Sequence, residues 1–453
     1  MKPVLLAAAL GGAMTAVPAF AAEADEAALK AEIEALKADY DARLRALEGR
    51  LETQADAAPA GKARPALSSN AFNPAISAII MGSYVNYDFE AERELAGFQV
   101  GGETDYTPEG FTLDESEIIF SANVDQRFYG QLTLGIHDGE EGAELEIEEA
   151  FFDTQGLPGG TGLRFGRFYS DIGYLNRQHP HAWNFHDAPL PYLAFLGGQL
   201  GDDGIQATWV APTDLYLAFG TEIYQGDSFP GGTDPDFGDV ATAFARVGGD
   251  VGLSHSWRAG LSALWADAAA REGGGHAHGG AAGPDVEFTG DSDLLMADLV
   301  WKWAPNGDFR KRSFTLQAEY FYRDEAGVVE FTEDVDSAEL DYDGTQSGWY
   351  VEGVYGFGPR WRAGLRYDRL STSNDLVVTS ITAGLTPGEV IDESGLADAG
   401  YDPDRWSAMV DYAPSEFSRL RLQYTRDDTL EETNDIWVLQ YVMSLGAHGA
   451  HQF

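Results

Sequence analysis

The chain has 453 residues, with 74 acidic against 29 basic side chains, a net charge of −45 and no cysteine. So little positive charge excludes a nucleic-acid-binding surface, which needs clustered lysine and arginine against phosphate. The missing cysteines exclude disulfide scaffolds, thiol nucleophiles and iron–sulfur centres, and 44% apolar against 23% charged residues excludes wholesale disorder.

Met1-Lys2 supplies a positive start, Val4 to Val17 an apolar run, and Ala19-Phe20-Ala21 a small-residue site before Ala22-Glu23. These three features predict a secretory signal peptide over residues 1–21, cleaved after Ala21. The apolar run is too short to span a bilayer as an anchor. No cysteine follows the cleavage site, so a lipoprotein is not expected.

Residues 22–57 are rich in Ala, Glu, Lys, Leu and Arg, with apolar positions at Leu29, Ile33, Leu36, Tyr40, Leu44, Leu47 and Leu51. The spacing returns position 29 at 40 and again at 51, which keeps one narrow seam on a nearly straight helix. Such a seam suits helix-to-helix association, and it predicts a short periplasmic coiled coil that assembles a homotrimer. A linker over 58–72 follows, marked by Pro59, Gly61 and Pro65.

From Asn73 to Phe453 the period changes from helix to strand. Leu215, Leu217, Phe219, Thr221 and Ile223 alternate with Tyr216, Ala218, Gly220, Glu222 and Tyr224. Trp437, Leu439, Tyr441, Met443 and Leu445 alternate with Val438, Gln440, Val442 and Ser444. Short connections fall near 124–128, 157–161, 211–214, 247–253, 304–312, 356–360 and 413–418. Longer ones fall near 90–110, 138–143, 170–203, 226–239, 268–290, 325–344, 371–403 and 427–434.

Short turns on one side and long loops on the other imply about sixteen strands and an outer-membrane pattern. Backbone groups in hydrocarbon must pair internally, so the sheet has to close. The expected fold is therefore all-β: a transmembrane antiparallel β-barrel of about 16 strands over 73–453, behind the periplasmic coiled-coil helix. Its apolar strand faces point at outer-membrane lipid and lipopolysaccharide, and its lumen carries charge and glycine. The terminal Phe453, in phase with the outward set, resembles the C-terminal signal through which the barrel-assembly machinery takes up bacterial outer-membrane proteins.

A barrel of this size encloses an aqueous channel. By strand counting, residues 170–203 are the third outward loop, and their Pro, Gly and aromatic content predicts an ordered fold into the lumen. Arg177, Asp187, Asp202 and Asp203 in this stretch are candidate constriction residues. Glu115, Glu117, Glu146 and Glu148 are candidate lumen acids, with Arg362 and Arg366 as the opposing bases. Acidic rings predict a preference for cations. The pair Glu148 and Glu149 lies in one strand, where alternation sends adjacent side chains to opposite faces, so no facing acid–base pair is expected.

Nine histidines are few, but His179, His181 and His186 sit beside Asp187. Imidazole with carboxylate suits zinc, so these four residues form a candidate metal site; otherwise no cofactor is expected. His276 and His278 make a weaker pair in a Gly-rich loop, and His448 and His451 lie near the end. Neither a G-x-S-x-G elbow, an H-E-x-x-H motif, a Walker loop nor a Rossmann glycine pattern is present, so the chain is not expected to be an enzyme.

A coiled coil before sixteen strands resembles the phosphate-selective porin O/P type of trimeric channel. A second resemblance rests on Phe72-Asn73-Pro74-Ala75-Ile76-Ser77, Ser116-Glu117-Ile118, Ser121-Ala122-Asn123-Val124-Asp125 and Glu148-Glu149-Ala150-Phe151-Phe152. It extends through Gly173-Tyr174-Leu175-Asn176 and His181-Ala182-Trp183 to Gly201-Asp202-Asp203-Gly204. Over residues 72–210 these segments are similar to a proteobacterial outer-membrane group labelled zinc-regulated or TonB-dependent receptor. The label implies a metal link, but a coiled coil and linker leave no room for the plug that energy-coupled uptake requires. Phosphate selectivity does not carry over, because Arg177 stands among acids and histidines.

The expected function is a porin-like channel for passive diffusion of small solutes, cation-preferring and linked to zinc or other metals. The alternatives are a non-conducting tether from the outer membrane to the cell wall, and a metal-binding surface receptor.

Overall fold

The computed structural model describes residues 74–446, apart from 90, 92, 102–105, 140–141, 275–283 and 334. The signal peptide, the coiled coil, the linker, His276, His278, His448, His451 and Phe453 lie outside the described residues.

The strands are β1 (Ala75–Tyr87), β2 (Gly110–Thr112), β3 (Ser116–Asn123), β4 (Phe128–Gly139), β5 (Gly142–Thr154) and β6 (Thr161–Tyr169). They continue as β7 (Gly201–Val210), β8 (Tyr216–Tyr224), β9 (Val240–Val251), β10 (His255–Gly274), β11 (Asp285–Trp303) and β12 (Ser313–Glu333). The last are β13 (Asp336–Gly356), β14 (Trp361–Ile381), β15 (Asp404–Ser415), β16 (Ser418–Asp428) and β17 (Asn434–Gly446). From β3 onward each strand pairs antiparallel with the next, and β17 returns to β1 from Ser77↔Gly446 to Tyr87↔Ile436. Both β2 and β3 pair with β1, through Ser83↔Thr112 and Ala75↔Ser121 respectively. They are one stave interrupted at residues 113–115, so the barrel has sixteen staves.

Alternation explains closure. Along β13 nearly every inward position is buried, and the outward ones are exposed or half-buried. Leu261, Leu295, Leu299, Leu365, Leu439 and Met443 face out with Trp265, Trp349, Trp406 and Trp437, whereas Glu319, Arg323, Glu352, Arg366, Arg421 and Gln440 are buried inside. That is the inverse of a soluble barrel and matches an outer surface solvated by lipid. The expected faces of β8 and β17 are observed: Glu222 and Tyr224 are buried, and Phe219, Ile223, Leu439 and Leu445 are exposed.

Two expectations are corrected. The connections anticipated near 268–290 and 325–344 are mostly strand, because β10 to β14 run for 19–21 residues. A crossing needs about ten, and the excess forms a canopy at the loop end. There Val286, Phe288, Val329, Phe331 and Leu340 pack with Val390 of a short helix, Pro387–Glu393. Nor is the lumen uniformly polar. The helix α1 (Leu190–Leu196) is buried along its whole length and joins Leu95, Phe98, Phe168, Leu294, Met296, Phe321, Tyr350 and Leu370 in an apolar core inside the barrel.

Candidate functional site

The third loop enters the lumen, and buried acids on the wall hold its backbone. Glu222 accepts from Asp171 N at 2.9 Å and from the hydroxyl of Ser170. Glu319 accepts from Tyr174 N at 2.9 Å, Leu175 N at 3.2 Å and the Tyr192 hydroxyl at 3.0 Å. The neck is closed by Asn176, whose amide donates to Ser170 O and Leu200 O at 2.9 Å while its oxygen accepts from Leu200 N at 2.8 Å.

Guanidiniums hold the far side. Arg421 donates to Trp183 O, Arg405 to Ala188 O and Arg366 to Asp187 O, each at 2.7 Å, and Arg419 donates to His181 O at 2.8 Å. The Asp187 carboxylate meets Arg366 at 3.0 Å and Arg405 at 2.6 Å. Burial alone would raise this carboxyl, but the two arginines outweigh it and hold Asp187 well below the usual carboxylate range. Asp171 is likewise pulled down to about 2, against its burial, by Arg177, Arg246 and Arg164.

Beside the loop lies a cavity of about 1060 Å³. Its lining draws on β1, the break between β2 and β3, β4 to β6, the loop, and β16 and β17. Eight carboxylates line it (Asp114, Glu115, Asp138, Glu144, Glu146, Glu148, Asp187 and Asp227) against three guanidiniums, Arg93, Arg167 and Arg405. The break at residues 113–115 brings Asp114 and Glu115 to the cavity: Asp114 accepts from Ser83 Oγ at 2.7 Å and lies 3.4 Å from His186 Nε2.

The predicted residues therefore divide. Glu115, Glu146, Glu148 and Asp187 line the cavity, whereas Arg177, Asp202, Asp203, Glu117, Arg362 and Arg366 do not. Arg177 pairs with Asp171 at 2.9 Å, Asp203 with Arg167 at 3.0 Å, and Arg362 with Asp411 at 2.5 Å. Asp202 accepts from Gly226 N at 2.7 Å. Arg366 clamps the loop and is no open pathway base. Sequence reasoning missed Asp114, Asp138, Glu144 and Arg93; the strand break and the infolding of residues 93–101 carry no periodic signal.

The four-residue metal set also separates. His186 goes to Asp114 and Asp187 to the arginines, while His179 and His181 go to glutamates of β3 and β5. His181 Nδ1 is 2.6 Å from Glu117 Oε1, and the two rings stack at 5.7 Å. His179 Nδ1 is 3.1 Å from Glu148 Oε2, and its Nε2 is 3.1 Å from Glu149 Oε2. Adjacent Glu148 and Glu149 thus face the same way, against the alternation expected. The ladder explains it: Thr133 pairs with Glu149 and Leu134 with Ile147, leaving Glu148 as the extra residue of a β-bulge. Burial opposes a charge on His179, but Glu117, Glu148 and Glu149 together hold its pKa well above the ordinary histidine range.

Fold and lumen define an antiparallel barrel of the outer-membrane type with an infolded third loop. An uncharacterized protein of Aquifex aeolicus (strain VF5) is 30% identical over 425 residues, covering 85% of this chain and 81% of the relative, and the chain belongs to the same family. No family model matches it. Among solved structures, the outer membrane channel DcaP of Acinetobacter baumannii is 13% identical, with 82% of this chain and 97% of that one covered and a TM-score of 0.48. The anion-selective porin from Comamonas acidovorans is 9% identical over 82% and 99% of the two chains, also at 0.48. OmpT of Vibrio cholerae in its trimer form is 11% identical over 82% and 99%, at 0.47. Likeness at this level carries nothing about function.

Proposed function

We propose that the chain is a channel of the bacterial outer membrane that admits small solutes by passive diffusion and prefers cations. One observation carries this reading: the space left beside the infolded loop is lined by eight carboxylates and three guanidiniums. A lining in which carboxylates outnumber guanidiniums concentrates cations and repels anions. The lipid-type outer surface supports a membrane setting, and the signal peptide expected over 1–21 supports export. The coiled coil expected over 22–57 supports assembly as a trimer. Because the apolar core around α1 occupies part of the lumen, the solutes are small.

The test is the zero-current potential of the full-length protein in a planar bilayer under a KCl gradient. A steady conductance with a cation-selective potential is the expected result. An anion-selective potential overturns the charge argument. Silence from folded protein overturns the channel and favours the tether.

A further inference from the structure

Three glutamates from two strands converge on one imidazole. His179, at the third loop's approach to the wall, directs Nδ1 at Glu148 Oε2 (3.1 Å) and Glu117 Oε2 (3.4 Å), and Nε2 at Glu149 Oε2 (3.1 Å). The side chains of Glu117, Glu148 and Glu149 are each more than nine-tenths buried. One donor atom from each of Glu117, Glu148 and His179 lies within 4.8 Å of the other two. We propose that these three residues bind a single divalent transition-metal ion, zinc by donor chemistry, in the wall of the lumen.

Spacing supports it. Nitrogen and oxygen donors held about 2.1 Å from a tetrahedral zinc stand about 3.4 Å apart, close to the separations seen around Nδ1. The outer contacts also fit. When Nε2–H donates to Glu149, the tautomer is fixed and the Nδ1 lone pair faces two carboxylate oxygens. In the metal-free ring a proton on Nδ1 sits between those oxygens, and a bound ion takes its place. A carboxylate behind the second ring nitrogen is the usual support of a ligating histidine. His181 holds Glu117 by its other oxygen at 2.6 Å.

A second, independent observation points to a missing ligand. Glu148 Oε1 is buried without a hydrogen-bond partner among the described residues. Two guanidiniums act on Glu149, Arg164 and Arg177, but each is paired elsewhere, with Asp153 at 2.7 Å and Asp171 at 2.9 Å. The β-bulge at Glu148 is what aims both glutamates inward, the use to which bulges beside functional sites are put. Imidazole among the donors favours zinc over magnesium or calcium, which take oxygen. Glu115 and Glu148 line the cavity, so an ion in solution reaches the site. Occupancy does not depend on whether the lumen conducts.

The experiment titrates zinc alone into the full-length protein, folded in detergent, against a chromophoric chelator. One tight equivalent is expected, lost in His179→Gln and Glu148→Gln and weakened roughly 10–100-fold in Glu149→Gln, which removes only the outer support. His255→Gln, at the turn end, leaves it unchanged. Equal affinity in His179→Gln, Glu148→Gln and the parent protein overturns the site. So does an absence of binding to folded protein, which leaves His179 a protonated ring among carboxylates. Cobalt(II) spectra of the unmodified chain cover the case in which the variants fold poorly: a d–d band displaced by zinc supports the site, and no band overturns it.

Discussion

Arg405 Nη1 on β15 and Asp187 Oδ2 in the third loop meet at 2.6 Å, and Asp368 on β14 accepts from Arg405 Nε at 3.2 Å and Arg366 Nε at 3.1 Å. Two guanidiniums shared between two carboxylates form a closed charge cluster, and Arg405 also donates to Ala188 O. The loop is thus held by its backbone as well as by charge, which fixes the wall of the cavity rather than leaving a swinging flap.

Arg405→Ala leaves Asp187 and Asp368 with fewer counter-charges and the loop carbonyl without its donor. Breaking one partner of a buried pair costs about 3–5 kcal/mol. The barrel persists because its ladder is untouched. Hydrogen exchange across residues 183–192 is the measurement, and faster exchange there with unchanged protection in β12 and β13 is the expected outcome.

Acid loosens the opposite end of the same loop. The folded-state pKa of Asp171 is lowered from 3.8 to about 2, so its contribution is complete above the unfolded value and disappears as pH falls from about 4 towards 2. The shift corresponds to roughly 2 kcal/mol. Single-channel noise, or exchange of residues 170–178, recorded between pH 6 and pH 2 should rise through that window; Asp171→Asn should show the acid behaviour already at pH 6.

Glu144 and Glu146 line the cavity; Glu144 is more than half exposed, with His137 3.9 Å away. Replacing both by Gln removes two lining charges and leaves the fold intact. The zero-current potential should move towards zero in dilute KCl, and the difference should shrink near 1 M salt, where the screening length is only about 3 Å. An unchanged potential in dilute salt would remove the lining acids from ion selection.

Much of this architecture is legible in the sequence because strand alternation and turn chemistry are local. Ala211-Pro212-Thr213-Asp214 and Ala304-Pro305-Asn306-Gly307-Asp308 mark turns, and Glu222 falls on the inward phase by counting alone. The third loop is readable from its length and its prolines and aromatics. Its partners are not, because Asp187 finds Arg366 and Arg405 through closure of the ring, far along the chain. The long strands β10 to β14 were hidden by their acidic, glycine-containing tips, such as Asp341-Tyr342-Asp343-Gly344, which read as loop but pair as ladder. The histidine set was half visible: His179 and His181 share a site, but the sites of His186 and Asp187 depend on which wall each reaches.

The bulge was the least legible feature, since Glu148 and Glu149 obey alternation until one residue is inserted in the ladder. Gly135, across from it on β4, makes the arrangement possible: a Cβ there would lie 2.2 Å from Glu148 Oε1. The obstacle is the end of a flexible side chain, so Gly135→Ala should be accommodated by moving the Glu148 carboxylate and not by opening the sheet. Heat-modifiable migration should match the parent protein. The His179 ring, having lost one of its three carboxylates, should titrate at lower pH, as selective histidine labelling and NMR would record. A ring titrating as in the parent would mean that Glu148 keeps its place and that Gly135 is not what makes room for it.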